Sequence, residues 1–122
     1  MAGSGTTEWT VVEYERVRGE RPVLTFLASL TGKNANEAAA LLLKLRARGN
    51  QMRPPDSKIV TGHRNLFELR GHEVRIFYMF LPGRVIVLLD GILKKRDRIP
   101  KPDLERTLGY QRDVEQRGPA AP

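Results

Sequence analysis

Arg70, His72, Arg75, Lys94 and Lys95 fall within one stretch, Leu66 to Lys95, whose sequence LFELRGHEVRIFYMFLPGRVIVLLDGILKK alternates strand-like runs with short breaks. If those runs fold as hairpins, the five basic residues gather at one end of a sheet, a cationic rim on an apolar scaffold. Such a concentration of charge can bind a phosphate-rich ligand.

Three runs must position them: Leu66 to Arg70, Glu73 to Leu81 and Arg84 to Leu93, separated by Gly71-His72 and Pro82-Gly83. The pattern predicts a three-stranded antiparallel meander. The second and third runs are apolar at nearly every position and rich in Val, Ile, Phe and Tyr, so they belong at the centre of a sheet covered on at least one face. Taking Pro82-Gly83 as a turn tip sets Leu81 against Arg84, Arg75 against Asp90 and His72 near Leu93. Taking Gly71-His72 as the other sets Arg70 against Glu73 and Glu68 against Arg75. Arg75 is then expected between two carboxylates, and a slip of one residue would break both pairings. The same spacing also fits a cross-strand ion network with no further role, worth about 0.2 to 1 kcal/mol per pair.

The chain before the meander supplies a strand and two helices. Trp9 to Glu15 alternates, with Trp9, Val11 and Glu13 on one face and Thr10, Val12 and Tyr14 on the other. Pro22 suits the first position of a helix, whose apolar face is Val23, Phe26, Leu27 and Leu30. Asn34 and Glu37 have the spacing of a capping box for a helix from Ala35 to Arg48, with Ala38, Leu41, Leu42 and Leu45 as its core stripe and Gly49 as its C-cap. The two helices are expected to form a hairpin on the sheet. Lys58-Ile59-Val60 reads as a short extended segment. After the meander, Pro102 opens a last, weakly amphipathic helix through about Gln116, with Leu104, Leu108 and Tyr110 as its main apolar residues. Residues 8–117 read as one domain, with 1–7 and 118–122 as disordered tails.

Composition narrows the function classes. The chain has 122 residues, net charge +7 and no cysteine, which excludes disulfides and thiolate metal sites. Its two histidines, His63 and His72, lack metal-ligand spacing, so neither a metal nor a cofactor is expected. No run reaches the roughly 18 apolar residues of a membrane span, and the start lacks the pattern of a secretory signal, so a cytoplasmic location is expected. Residues 1–43 carry 4 basic and 5 acidic side chains, whereas residues 44–75 carry 8 and 3, and residues 92–117 carry 8 and 5. The basic excess therefore coincides with the meander and its flanks, which suits a nucleic acid or an acidic protein as partner.

Four motifs in order, Leu66-Phe67-Glu68-Leu69-Arg70, Val74-Arg75-Ile76-Phe77-Tyr78, Gly91-Ile92-Leu93-Lys94-Lys95 and Pro102-Asp103-Leu104-Glu105, resemble those of the RelE/HigB superfamily of type II toxins, and most of all its phage-derived, HigB-like branch. The likeness spans roughly residues 9 to 117. It implies an α+β, RelE-like fold: an antiparallel sheet of about four strands, an N-terminal helix hairpin packed on it and a C-terminal helix. It also implies a ribosome-dependent mRNA endonuclease, metal-independent, acting on mRNA in the 70S ribosome and restrained by a cognate antitoxin, expected to be a small helix-turn-helix protein. By position Arg75 matches the family's strand arginine that contacts the scissile phosphate, Lys94 and Lys95 the basic end of the last strand, and Arg70 their neighbour. Lys58, Arg64, Arg96, Arg98 and Tyr110 are the expected RNA contacts. The chain departs from the family after the last strand, where several members place a tyrosine or histidine and this one has Arg96-Asp97-Arg98. His72, or Lys94 with a lowered pKa, then takes the role of base.

Two other readings share the fold. ParE-like toxins act on DNA gyrase without nuclease chemistry, and a degenerate toxin would keep nucleic-acid binding alone. The clustering of Arg70, Arg75, Lys94 and Lys95 favours the nuclease, since a gyrase inhibitor has no need of it.

Overall fold

The computed structural model describes residues 8–94 and 98–119. In chain order its elements are β1 (Thr10–Glu13), α1 (Pro22–Ala28), α2 (Gly32–Arg48), β2 (Ser57–Ile59), β3 (Phe67–Arg70), β4 (Val74–Leu81), β5 (Val85–Leu93) and α3 (Lys101–Arg117). The two apolar runs become β4 and β5 and lie side by side inside a five-stranded sheet of order β1-β5-β4-β3-β2. The meander β3-β4-β5 is antiparallel as expected, and Lys58 and Ile59 of the short extended segment belong to the edge strand β2. Two features differ: the sheet has five strands where about four are expected, and β1 runs parallel to β5, making the sheet mixed. The direction of a strand beside a partner some seventy residues away is set by the intervening connection, not by its own alternation.

Side chains alternate between two covered faces. On one, Leu69, Val74, Ile76, Tyr78, Ile86 and Leu88 pack against Val23 of α1 and Ala38, Leu41 and Leu45 of α2. On the other, Phe77, Met79, Val87 and Leu89 pack against Tyr14 and Val114, with Leu104 and Leu108 of α3 alongside. Cover on both faces is the reason β4 and β5 show almost no polar alternation. Each fully buried Leu in these clusters contributes about 1.5–3 kcal/mol of burial. The chain also approaches itself closely at Gly91, where a Cβ would stand 2.2 Å from the ring of Phe26.

The expected register is off by two residues on both sides of Arg75, and by one on the β5 side between the Pro82 turn and Tyr78, in each case for an identifiable reason. Leu81 pairs with Val85, because Pro82, Gly83 and Arg84 all belong to the turn, with Gly83 and Arg84 at φ 84° and 61°. A bulge then makes Leu89 an extra residue between the pairs Tyr78–Leu88 and Phe77–Asp90, so Arg75 faces Ile92 rather than Asp90. At the other turn Gly71 N–H bonds Val74 C=O at 2.9 Å, leaving His72-Glu73 as the tip and Arg70 opposite Arg75. Glu68 accordingly faces Phe77, not Arg75, and Val74, not His72, meets Leu93. Gly71 is there for a different reason: a Cβ would come within 2.4 Å of Glu37 Oε1.

The helix boundaries carry a second correction. α2 begins at Gly32, with Thr31 at its N-cap, so Asn34 and Glu37 are not its capping box. Both instead reach the β3–β4 turn. Asn34 Nδ2 donates to Glu73 Oε1 at 3.2 Å, and Glu37 Oε1 accepts from the backbone N–H of His72 at 2.8 Å. In α3 the fully covered residues are Thr107, Gln111 and Val114, while Leu104, Leu108 and Tyr110 are half-buried. Gln111 replaces an apolar anchor by donating to the carbonyls of Arg64 and Asn65 at 2.9 and 3.0 Å. Gly118 N–H still bonds Val114 C=O, and Pro119 C=O accepts from Glu15 N–H, so these two residues of the expected tail are tied to α3 and to the end of β1. The remaining tail positions, 1–7 and 120–122, lie outside the described residues.

Candidate nucleic-acid interface

Two successive rows on the α3 face of the sheet carry the charged residues. In the outer row Arg70, Arg75 and Ile92 lie side by side, and in the next Lys58, Glu68, Phe77 and Asp90 do so. A shift of two residues preserves the face of every side chain, so the charges expected to share a face do share it although their direct partners change. Like charges directly opposite destabilise a ladder unless each has its own acceptor. Arg70 Nε meets Glu68 Oε1 at 3.2 Å, and Arg75 Nη1 donates to the carbonyls of Gly71 and Val74 at 2.7 and 2.9 Å.

Arg75 is 5% and Lys94 8% exposed, whereas Arg70 is half-buried and His72 exposed at the tip of the turn. Lys94 follows β5 directly, its backbone N–H on Glu73 C=O at 2.8 Å, which brings it to the same end of the sheet as Arg70, His72 and Arg75. Four of the five residues singled out for chemistry therefore converge. The fifth, Lys95, lies outside the described residues, as does Arg96.

The expected RNA contacts divide. Lys58, directly opposite Glu68, lines a cleft of about 360 Å³ with Arg98, Val60, Thr61, Ile99 and Leu104, beside the convergent cations. Arg64 stands elsewhere: Asn65, next to it, bonds the backbone of Phe80, about 17 Å along β4 from Arg75 at 3.4 Å per residue. Tyr110 sits on the opposite flank of α3, its ring 4.9 Å from that of Tyr14 and capped by the Arg16 guanidinium at 5.8 Å. There it lines a groove of about 600 Å³ with Arg16, Arg18 and Arg106. Burial, then the nearby Asp90 carboxylate, raises the Tyr110 pKa above its ordinary value.

Arg106 is the residue that sequence reasoning missed. Its Nε bonds Asp90 Oδ2 at 2.8 Å and its Nη2 bonds Asp103 Oδ1 at 2.6 Å, so it takes the place by Asp90 expected for Arg75. Burial works against its charge, but the two carboxylates outweigh it and raise its pKa. The Asp103–Arg106 helical spacing is visible in the sequence; the contact with β5 is not, because it depends on where α3 lands.

Tyr14 anchors the far end of α3. Its hydroxyl donates to Asp113 Oδ2 at 2.5 Å, and Arg117 Nη2 and Nε bond the two oxygens of the same carboxylate at 2.8 and 2.9 Å. Burial and then the bond to Asp113 push the Tyr14 pKa up to about 12, while the Tyr14 hydrogen bond holds Asp113 below its ordinary value. Among the described residues no three His, Asp or Glu side chains are grouped to hold a metal ion, and no helix is long and apolar enough to cross a membrane.

The comparisons with known proteins follow this architecture. Residues 25–109 match the family model "Phage derived protein Gp49-like (DUF891)". No curated protein matches the chain. Among solved structures, the RelE-RelB complex from the archaeon Pyrococcus horikoshii OT3 contains a chain matched over its whole length and over 76% of this one, with TM-score 0.54 and 19% identity. The toxin-antitoxin complex RelBE2 from Mycobacterium tuberculosis aligns with 75% of this chain and 98% of its own, at TM-score 0.45 and 14% identity. The archaeal likeness shows a shared fold, and the family match covers most of the chain, including the meander with its paired arginines: this chain belongs to the phage-derived Gp49-like family.

Proposed function

We propose that this chain is the toxin of a type II toxin-antitoxin pair and acts as a metal-independent endoribonuclease on mRNA in the 70S ribosome. The observation that carries the reading is the pairing of Arg70 with Arg75 on one face at one end of the sheet, with Lys94 and His72 at the same end. Two guanidiniums held on fixed acceptors are a preorganised receptor for a phosphate, and they gain most when negative charge builds on it. RNA cleavage without metal begins when the 2′-hydroxyl loses its proton and attacks the adjacent phosphorus, and ends when the 5′-oxygen leaves with a proton. Arg75 and Arg70 serve the phosphate in this scheme. Of the two candidate bases, His72 is exposed at the tip of the turn and Lys94 is nearly covered. Lys58 and Arg98 follow the RNA backbone beyond the scissile position.

The fold likeness to a RelE chain crystallised with RelB supports an antitoxin as partner, and the basic excess suits one with an acidic segment. A cytoplasmic location follows from the proposed substrate. The test is cleavage of a defined message, naked and on programmed ribosomes, by the wild type and by Arg75→Ala and Arg70→Ala proteins whose folding is checked by circular dichroism. Cuts confined to the ribosomal A-site codon and lost in both variants support the reading. A folded wild type that cuts neither substrate removes the nuclease, and inhibition of gyrase supercoiling would then assign the ParE-like activity.

A further inference from the structure

Glu68 has a feature that phosphate binding does not use. Its side chain is 3% exposed on the Lys58–Glu68–Phe77–Asp90 row, and it lines the cleft between β2 and the start of α3. Oε1 is paired with Arg70, but Oε2 has no hydrogen-bond partner among the described residues. Lys58 stands directly opposite on β2, yet no ion pair joins the two among the described residues. An ionised carboxylate only accepts hydrogen bonds, so the ligand that completes this cleft must bring a donor.

The rest of the cleft narrows the ligand class. Its volume of about 360 Å³ suits a small planar molecule. Val60, Ile99 and Leu104 supply apolar wall, which ring faces can cover, and Lys58 and Arg98 supply positive charge at the same opening. A flat ring carrying a hydrogen-bond donor and tethered to a phosphate is a nucleotide, and unstacked bases of single-stranded RNA are read in this way, by apolar contact and by hydrogen bonds to the Watson–Crick edge.

We propose that this cleft takes one unstacked nucleobase and reads it through Glu68, favouring a base with an amino group on its Watson–Crick edge over uracil. Guanine, cytosine and adenine each offer amino hydrogens to the carboxylate. Uracil offers one N–H flanked by two carbonyl oxygens, which a carboxylate repels. The inference rests on the ribonuclease reading for the identity of its ligand and adds to it a determinant of sequence preference, on a carboxylate whose other oxygen holds Arg70.

The test is a titration of the full chain with 5′-GMP, 5′-CMP, 5′-AMP and 5′-UMP at fixed ionic strength, followed by the methyl resonances of Ile99 and Leu104. The expected result is saturable shifts with the three amino-bearing nucleotides and binding of UMP about tenfold weaker, the discrimination that one well-placed side-chain contact to a base supplies. Glu68→Gln, of the same size, should abolish that difference while leaving the phosphate contribution. Thr61→Trp, which fills the cleft from an exposed position, should abolish the shifts with all four, and decides the matter if Glu68→Gln does not fold. Equal affinities for the four nucleotides, a preference that survives Glu68→Gln, or shifts that survive Thr61→Trp would overturn the proposal. Ribosomal mRNA cleavage alongside equal affinities would remove this cleft and keep the nuclease, whereas base preference in a protein that cleaves nothing would keep the cleft and remove the nuclease.

Discussion

Arg70 and Arg75 stand directly opposite each other on β3 and β4, and each guanidinium is held by acceptors of its own: Glu68 for Arg70, the carbonyls of Gly71 and Val74 for Arg75. A ladder ordinarily avoids such a pair. With those acceptors in place the like-charge pair is tolerated in the ladder, and the proposed function uses the same two guanidiniums to receive a phosphate.

Under the proposed function Arg75 has two roles, one in the fold and one at the phosphate, that substitution separates. Arg75→Ala removes charged donors from two carbonyls and should cost about 1.5–3 kcal/mol of stability as well as cleavage. Arg75→Lys keeps the charge but loses the planar fork, so its urea midpoint should recover more than its activity does. Equal recovery of both would make Arg75 a structural residue alone.

Gly49 tests the packing of the helix layer. It has φ 53°, and a Cβ there would lie 2.0 Å from the indole of Trp9, which the Arg84 guanidinium covers at 4.6 Å. Gly49→Ala must displace the ring and strain the backbone, for about 3 kcal/mol in all. Trp9 is the chain's one tryptophan, so its fluorescence reports the displacement directly, and an unchanged emission spectrum would contradict it.

The Tyr14–Asp113 bond gives stability a dependence on pH at both extremes. Tyr14 has its pKa raised in the folded protein to about 12, so its contribution is full below the ordinary value near 10.0 and is lost as pH climbs between the two. Asp113 has its pKa lowered from 3.8, so its contribution is full above that value and is lost as pH falls through the folded one. Urea midpoints measured across this range should fall at both ends, and Tyr14→Phe should remove its share of the alkaline decline.

Arg106 secures the first turns of α3 to the sheet. Arg106→Ala takes from Asp90, 6% exposed, a charged partner and should cost about 1–3 kcal/mol. The loss should appear as faster amide exchange at Leu104 to Leu108, with exchange in β4 and β5 unchanged. Uniform acceleration across the sheet would mean that α3 and the sheet open together.

Position by position, the limits of the sequence have physical causes. Gly49 closes α2 as its type and place imply, and the apolar stripe Ala38, Leu41 and Leu45 faces the sheet, because both follow from local geometry. Asn34 and Glu37 have the spacing of a cap but lie inside the helix, since a side chain in reach of the β3–β4 turn gains more there. Gly71 resembles a turn tip and is instead the place where Glu37 comes close.

The amino-acid order by itself determined the antiparallel meander, the helical stripes and the face on which Glu68, Arg70, Arg75 and Asp90 lie, since periodicity is local and survives a register shift of two. Only the tertiary structure decided which of those charges meet. The three-residue turn at Pro82 to Arg84 and the bulge at Leu89 moved Asp90 away from Arg75, and the landing of α3 gave it to Arg106. Pairing across a sheet and docking of a helix depend on contacts far apart in the chain, which no local spacing records.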